Sequence, residues 1–85
     1  MKPVTIYTKG YCPYCHRALA LLKQKNVNFK NIEISMSPDL RAEMIQRAGG
    51  STTVPQIFVG DVHIGGSDDL DALERAGKLD ALLAA

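Results

Sequence analysis

Residues 4–15 read VTIYTKGYCPYC and place two cysteines directly after a strand-forming segment. Val4–Thr8 is rich in β-branched and aromatic residues, which favours a β-strand. Residues 9–11 form a short turn. Pro13 suits the first position of a helix, because its missing N–H would be unpaired there anyway. The stretch therefore predicts a strand that leads through a turn into a helix, with Cys12 at the helix start.

The rest of the chain alternates between helical and strand-like patterns. Apolar residues spaced three and four apart predict a helix over 13–25, and alternation predicts a second strand over 27–34. Ser37 before Pro38 predicts the start of a second helix, which Gly49-Gly50 ends. The other predicted elements are a strand over 54–59, a hairpin turn at Gly60-Asp61, a strand over 62–64, a helix capped by Ser67 and ended by Gly77, and a short helix over 79–83.

This order of elements, β-α-β-α-β-β-α-α, predicts an α/β fold. Two strands joined through a helix imply a right-handed parallel crossover, and the hairpin adds an antiparallel strand. We therefore expect a four-stranded mixed sheet flanked by helices. A length of 85 residues predicts a single domain over 1–85.

The composition argues against several classes of protein. Lys plus Arg is 10 and Asp plus Glu is 9, so the formal charge is +1, and no run of basic residues suggests a nucleic-acid surface. No apolar stretch approaches the roughly 18 residues of a membrane span. Lys9 interrupts the N-terminal segment before an apolar region of signal-peptide length can form. These features predict a cytoplasmic protein that binds neither membrane nor nucleic acid.

Cys12 and Cys15 are the only cysteines, too few for the disulfide framework of a small secreted domain. At a helix start, free N–H groups and the helix dipole favour a thiolate, and Lys9 can add positive charge. Cys15 lies one turn further on and should be more enclosed. The pair therefore predicts thiol–disulfide exchange, in which the Cys12 sulfur attacks and the Cys15 sulfur resolves.

Three other interpretations of this cysteine pair remain open at the level of the residues. A zinc-binding module would need His16 and His63 as further ligands. The run from Cys12 to His16 also matches the Cys-x-x-Cys-His pattern of haem attachment, which requires an exported protein. Two inert core cysteines would suit Cys15 but not a cysteine at an exposed helix start. The strand before the motif favours the redox interpretation, and we expect no bound metal.

Three motifs in order resemble those of the dithiol glutaredoxins, most of all the bacterial glutaredoxin 3 type. They are Cys12-Pro13-Tyr14-Cys15 after a strand, Thr53-Val54-Pro55, and Gly65-Gly66-Ser67-Asp68-Asp69. The resemblance spans essentially the whole chain. Thioredoxins usually carry Trp-Cys-Gly-Pro-Cys, whereas this chain has no Trp. The resemblance implies a thioredoxin-like fold and a cis peptide bond between Val54 and Pro55.

The resemblance also implies a glutathione site. Lys9 and Arg41 would meet the glycyl carboxylate of glutathione, and the backbone of Val54 would meet its cysteinyl part. Ser67 and Asp68 would hold the γ-glutamyl end. The full set of implied glutathione-binding residues is Lys9, Tyr14, Arg41, Thr53, Val54, Pro55, Ser67 and Asp68.

The activity implied by the resemblance is glutathione-dependent reduction of protein–glutathione mixed disulfides and protein disulfides. Glutathione would be a co-substrate, with no permanently bound cofactor. The expected partners are glutathione and disulfide-bearing or glutathionylated proteins, and the expected state is a monomer. An alternative known among such relatives is an iron–sulfur-bridged dimer held through Cys12 and glutathione. Pro13 makes that alternative less expected, because members with a rigid Cys-Pro-Tyr-Cys motif usually favour catalysis.

Overall fold

The computed structural model describes residues 2–84; Met1 and Ala85, the two ends of the predicted domain, lie outside the described residues. Within residues 2–84, no helix has the length and apolar character needed to cross a membrane. The elements follow the predicted order. They are β1 (Val4–Thr8), α1 (Pro13–Gln24), β2 (Phe29–Glu33), α2 (Pro38–Arg47), β3 (Gln56–Val59), β4 (Val62–Gly65), α3 (Ser67–Arg75) and α4 (Leu79–Ala84).

The four strands form one mixed sheet in the order β2-β1-β3-β4. β1 runs parallel to β2 and antiparallel to β3, and β3 runs antiparallel to β4. The crossover through α1 therefore produces the parallel pair and the hairpin produces the antiparallel edge. This arrangement confirms the predicted four-stranded mixed sheet.

Successive residues of the two central strands point into two different cores. Ile6 and Ile57 pack with buried residues of α1, α3 and α4 on one face of the sheet. Tyr7 and Phe58 pack with Met44 of α2 on the other face. Helices thus cover both faces, and the central strands are buried on both sides, as expected of strands inside a layered α/β fold.

Lys25 and the backbone of Lys2 connect the C-terminal helices to the rest of the molecule. The Lys25 Nζ, just past the end of α1, lies 2.6 Å from Glu74 Oε1 and 3.0 Å from Asp80 Oδ1. The Lys2 backbone N–H donates to the Leu83 carbonyl at 3.1 Å. The hydrogen bond between Lys2 and Leu83 brings the two ends of the described residues together at the end of β1 that lies away from Cys12.

Several predicted boundaries are wrong by one or two residues. α1 ends at Gln24 rather than 25, and β2 covers 29–33 rather than 27–34. β3 begins at Gln56, two residues later than predicted, because Pro55 has no N–H to donate to a neighbouring strand. β4 extends one residue further, to Gly65, and α4 extends to Ala84.

The predicted cap of α3 is also wrong. Gly66, not Ser67, is the N-cap residue, and Ser67 is the first helical residue and is buried. The Asp69 carboxylate accepts a hydrogen bond from the Gly66 N–H at 2.9 Å. The carboxylate of Asp69 in the first turn therefore pairs with a backbone N–H at the start of α3. The sequence predicted the Ser67 hydroxyl in the capping role.

Gly65 occupies a backbone conformation that other residues rarely adopt. Its φ is +116°, and it follows Ile64, the extra residue of a bulge between β3 and β4. A Cβ at Gly65 would overlap the carboxylate oxygen of Asp69, which would have to leave the Gly66 N–H. Gly77 also has a positive φ, +71°, but has open space around its Cα.

We expect Gly65→Ala to lower the free energy of unfolding by about 2–4 kcal/mol, because backbone strain and the loss of a helix cap add together. Gly77→Ala is the matched control and should cost only about 1 kcal/mol, since it adds strain without a clash. Urea unfolding of the two variants measures the difference. Equal losses would show that the overlap with Asp69 is relieved without cost.

Candidate active site

Cys12 is the N-cap residue of α1, directly beyond the buried end of β1. Its backbone is extended, with φ −96° and ψ 116°, and Pro13 occupies the first helical turn, as the sequence predicts. The Cys12 N–H donates to the Lys9 carbonyl at 3.3 Å. His16 Nε2 lies 2.8 Å from the Gly10 carbonyl, which can only accept, so the ring nitrogen donates. The turn that carries Cys12 is therefore tied down on both sides.

Several hydrogen bonds lower the pKa of Cys12. Partial burial acts in the opposite direction and is the largest single influence, but the hydrogen-bond donors together outweigh it. The Cys15 backbone N–H and thiol contribute most to the lowering, then the Tyr14 N–H, and last the positive charge of Lys9. The groups at the helix start therefore account for most of the lowering, and Lys9 adds the smallest part.

Cys15 has the opposite character. Its side chain has no solvent exposure, and burial raises the pKa of its thiol to about 11. Burial is the largest contribution to this value. The neighbouring Cys12 sulfur and the carboxylate of Glu33 also contribute to the rise, while a hydrogen bond with the Lys9 backbone opposes it. Because the thiolate is the nucleophile in thiol chemistry, this difference favours Cys12 over Cys15 as the attacking sulfur.

The Val54–Pro55 segment lies beside the Cys12 sulfur. The peptide bond between these residues is cis, which confirms the prediction from the resemblance. The Val54 carbonyl lies 3.9 Å from Cys12 Sγ, within reach of a weak thiol hydrogen bond. Backbone polar groups remote in the chain thus border the reactive sulfur.

A groove of about 490 Å³ extends from this segment to the start of α3. It brings together six of the predicted glutathione-binding residues, which come from three separate parts of the chain. These are Tyr14, Thr53, Val54, Pro55, Ser67 and Asp68. The Tyr14 ring is half-exposed and lies 5.7 Å from the guanidinium of Arg17.

The other two predicted residues do not line the groove. Lys9 lies in the turn before Cys12, where its charge acts on Cys12 and on Glu33. Arg41 is on the exposed side of α2, one turn after its N-cap. Lys9 therefore belongs to the surroundings of the sulfur, whereas the structure gives Arg41 no contact with the groove.

Seven groove-lining residues were not predicted as site residues. They are Ser51, Gln56, His63, Ile64, Gly65, Gly66 and Asp69. The sequence held a signal for Gln56, because it is the one polar residue within the otherwise apolar run over 54–59. His63 carried no such signal, since alternation in a short edge strand leads us to expect an exposed polar residue there.

The two histidines that a zinc site would require are engaged elsewhere. His16 contacts the Gly10 carbonyl, and His63 Nε2 lies 2.7 Å from Gln56 Oε1. Over the described range 2–84, no three His, Cys, Asp or Glu side chains are close enough together to hold a metal ion.

Known proteins resemble this chain along its whole length. The protein-family model described as Glutaredoxin matches residues 4–64. A glutaredoxin from Pseudomonas aeruginosa is 61% identical over 85 residues, which is 100% of both chains. Glutaredoxin 3 from Escherichia coli (strain K12) is 57% identical over 83 residues, which is 98% of this chain and 99% of the relative.

Solved structures agree with this likeness. The crystal structure of a buckwheat glutaredoxin in complex with glutathione superposes with a TM-score of 0.87 and 35% identity. It covers 98% of this chain and 77% of the buckwheat chain. The thioredoxin-like fold implied by the resemblance is therefore confirmed.

We expect a neutral alkylating reagent to modify Cys12 but not Cys15 at pH 7, because the lowered pKa of Cys12 leaves more of it as thiolate. Lys9→Ala should move the midpoint pH of Cys12 alkylation upward by less than about one pH unit, since a solvated charge contributes little. Cys15→Ala should move it further, because it removes the thiol donor. Alkylation rates over a pH series, with mass mapping of the modified peptide, measure both effects.

A larger upward movement in Lys9→Ala than in Cys15→Ala would contradict this order of contributions. Lys23→Ala is the matched control for the loss of a positive charge. Lys23 is exposed in the last turn of α1, at the opposite end from Cys12.

Proposed function

The chain belongs to the glutaredoxin family and is a thiol–disulfide oxidoreductase, and we propose that it reduces protein–glutathione mixed disulfides with Cys12 as nucleophile. The observation that carries the proposal is the difference between the two sulfurs. Cys12 is accessible with a lowered pKa, whereas Cys15 is buried with a pKa raised to about 11. The groove that begins beside Cys12 supplies a place for the glutathione moiety.

In the first step, the Cys12 thiolate attacks the glutathione sulfur of the mixed disulfide. The disulfide bond breaks, and the target protein leaves as a thiolate that takes up a proton. A second glutathione, as thiolate, then attacks the glutathione sulfur attached to Cys12. The products are oxidised glutathione and the regenerated Cys12 thiolate.

A second route reduces protein disulfides. Cys12 attacks one sulfur of the target and forms a mixed disulfide with it. Cys15 then loses its proton, attacks the Cys12 sulfur and releases the target as a dithiol. The chain is left with a Cys12–Cys15 bridge, which glutathione reduces. Family potentials of about −200 to −230 mV place such a dithiol near the glutathione couple, so this second route is reversible.

Glutathione binding is proposed along the groove. The crystallised buckwheat complex supports glutathione as the ligand. Val54 would offer its backbone groups to the cysteinyl part, with Thr53 and Pro55 beside it and Tyr14 lining the groove. Such pairing places the glutathione sulfur next to Cys12 Sγ, which already lies 3.9 Å from the Val54 carbonyl.

The two ends of glutathione need opposite charges from the protein. Ser67 and Asp68 begin α3, where free N–H groups favour the γ-glutamyl carboxylate and the Asp68 side chain favours its ammonium group. Lys9 would meet the glycyl carboxylate. Arg41 lies outside the groove, so its long side chain would have to extend from α2 to reach the same carboxylate. The monomeric state, the cytoplasmic location and the single domain over 1–85 stay predictions.

Cys12→Ser should abolish turnover of a peptide–glutathione mixed disulfide, because the hydroxyl is not ionised at neutral pH. Cys15→Ser should keep substantial activity, since this substrate needs only the first sulfur. A coupled assay that follows oxidised glutathione measures both variants. Equal loss in the two variants would contradict the separate roles of the sulfurs.

Asp68→Asn should raise the KM for glutathionylated peptide by about threefold to tenfold, as expected for the loss of one partly solvated charge contact. Asp39→Asn is the matched control, because Asp39 also lies in the first turn of a helix. If Asp68 only complements the helix dipole, both variants should lose a little stability and neither should change KM. Steady-state kinetics with thermal unfolding separates the two cases.

A further inference from the structure

Gln56 is a polar residue buried in a central strand, with only 3% of its surface exposed. Its side-chain Nε2 donates to the Thr53 carbonyl at 2.9 Å and lies 3.3 Å from Thr53 Oγ1. Burying an amide costs free energy unless its polar atoms are paired, so these contacts are what makes glutamine acceptable at this position. Through them, Gln56 holds the backbone immediately before Val54.

The same contacts fix the orientation of the amide and the proton of His63. Because the Thr53 carbonyl can only accept, Gln56 must turn its nitrogen toward it and its oxygen away. The oxygen is 2.7 Å from His63 Nε2, which must therefore carry the proton and donate. A continuous chain of donors thus runs from His63 through Gln56 to Thr53.

His63 is itself held by aromatic stacking. Its ring lies 4.9 Å from that of Phe58, with 25° between the ring planes. Phe58 is 2% exposed, and the guanidinium of Arg47 lies 4.4 Å from its ring centroid. The chain of contacts is therefore anchored in the core on the α2 face of the sheet and ends at the groove.

We propose that Gln56 and His63 form a positioning pair that holds the Thr53–Val54 backbone in the conformation that receives glutathione. The inference rests on the proposed function, because it assumes that glutathione pairs with this backbone. Gln56 and His63 are positioning residues, since they act through Thr53. The pKa of Cys12 is lowered by hydrogen bonds from Cys15 and Tyr14 and by the charge of Lys9, so the pair should affect binding and leave the reactivity of the sulfur unchanged.

Steady-state turnover of a peptide–glutathione mixed disulfide tests the pair. Gln56→Leu should raise KM about fivefold with kcat unchanged, which is the effect of losing about one net hydrogen bond from a preorganised site. His63→Phe keeps a ring to stack on Phe58 but loses the donor, and should raise KM about twofold to threefold. The double variant should be no worse than Gln56→Leu alone, because His63 acts through Gln56.

Two further variants make the test independent of folding. Gln56→Met keeps the length of the side chain but has no donor for Thr53, so it should show the same rise in KM even if Gln56→Leu does not fold. Gln46→Leu is the matched control on the exposed face of α2 and should leave KM unchanged. The midpoint pH of Cys12 alkylation should equal that of the unmodified protein in every variant.

Unchanged KM in both Gln56 variants would overturn the inference, as would a fall in kcat together with a higher midpoint for Cys12 alkylation. A parallel assay with the same peptide disulfide-linked to 2-aminoethanethiol separates this result from failure of the proposed function. If the unmodified protein does not prefer the glutathione-linked peptide, the proposed function is wrong. If it does prefer that peptide and the Gln56 variants keep the full preference, only the positioning role is wrong.

Discussion

Burial of β1 on both faces of the sheet fixes where the reactive sulfur emerges. β1 hydrogen-bonds to β2 on one side and β3 on the other, and its residues pack into both cores. It cannot shift by one residue without moving Ile6 and Tyr7 into the wrong cores. The start of the turn after Thr8 is therefore fixed, and Cys12 lies next to the first N–H groups of α1. The lowered pKa of the Cys12 thiol depends on that placement.

The two thiols differ in pKa because the start of α1 places them in different environments. Cys12, at the N-cap, lies near the first amides of α1 and near the Val54 carbonyl, which borders the groove. Cys15, one turn later, faces the core and loses its water. Although only three positions separate the two cysteines, the pKa of the Cys12 thiol is lowered and that of the Cys15 thiol is raised to about 11. The groove is built separately from the two sulfurs. Its walls include the segment before β3, β4 and the start of α3.

The sequence was sufficient for features that depend on local interactions. Alternation and helical spacing predicted all eight elements in order, and the cysteine spacing predicted the asymmetry of the two sulfurs. The predicted cap of α3 was wrong because a side chain further along the chain decides it. The Asp69 carboxylate, not the Ser67 hydroxyl, pairs with a backbone N–H at the start of α3. The cis bond before Pro55 and the glutathione-binding residues came from the resemblance, not from periodicity. Gln56 and His63 escaped prediction because their partnership crosses a hairpin and depends on a side-chain contact that no spacing rule encodes.

The hydrogen bond between Lys2 and Leu83 has a practical consequence for handling the protein. The two residues meet at 3.1 Å, at the end of β1 opposite Cys12. The seven residues from Lys2 to Thr8 span roughly 20 Å when extended, and that length separates this contact from the turn before Cys12. A fluorescent dye or a surface tether attached at Lys2 would therefore lie on the side of the molecule away from Cys12.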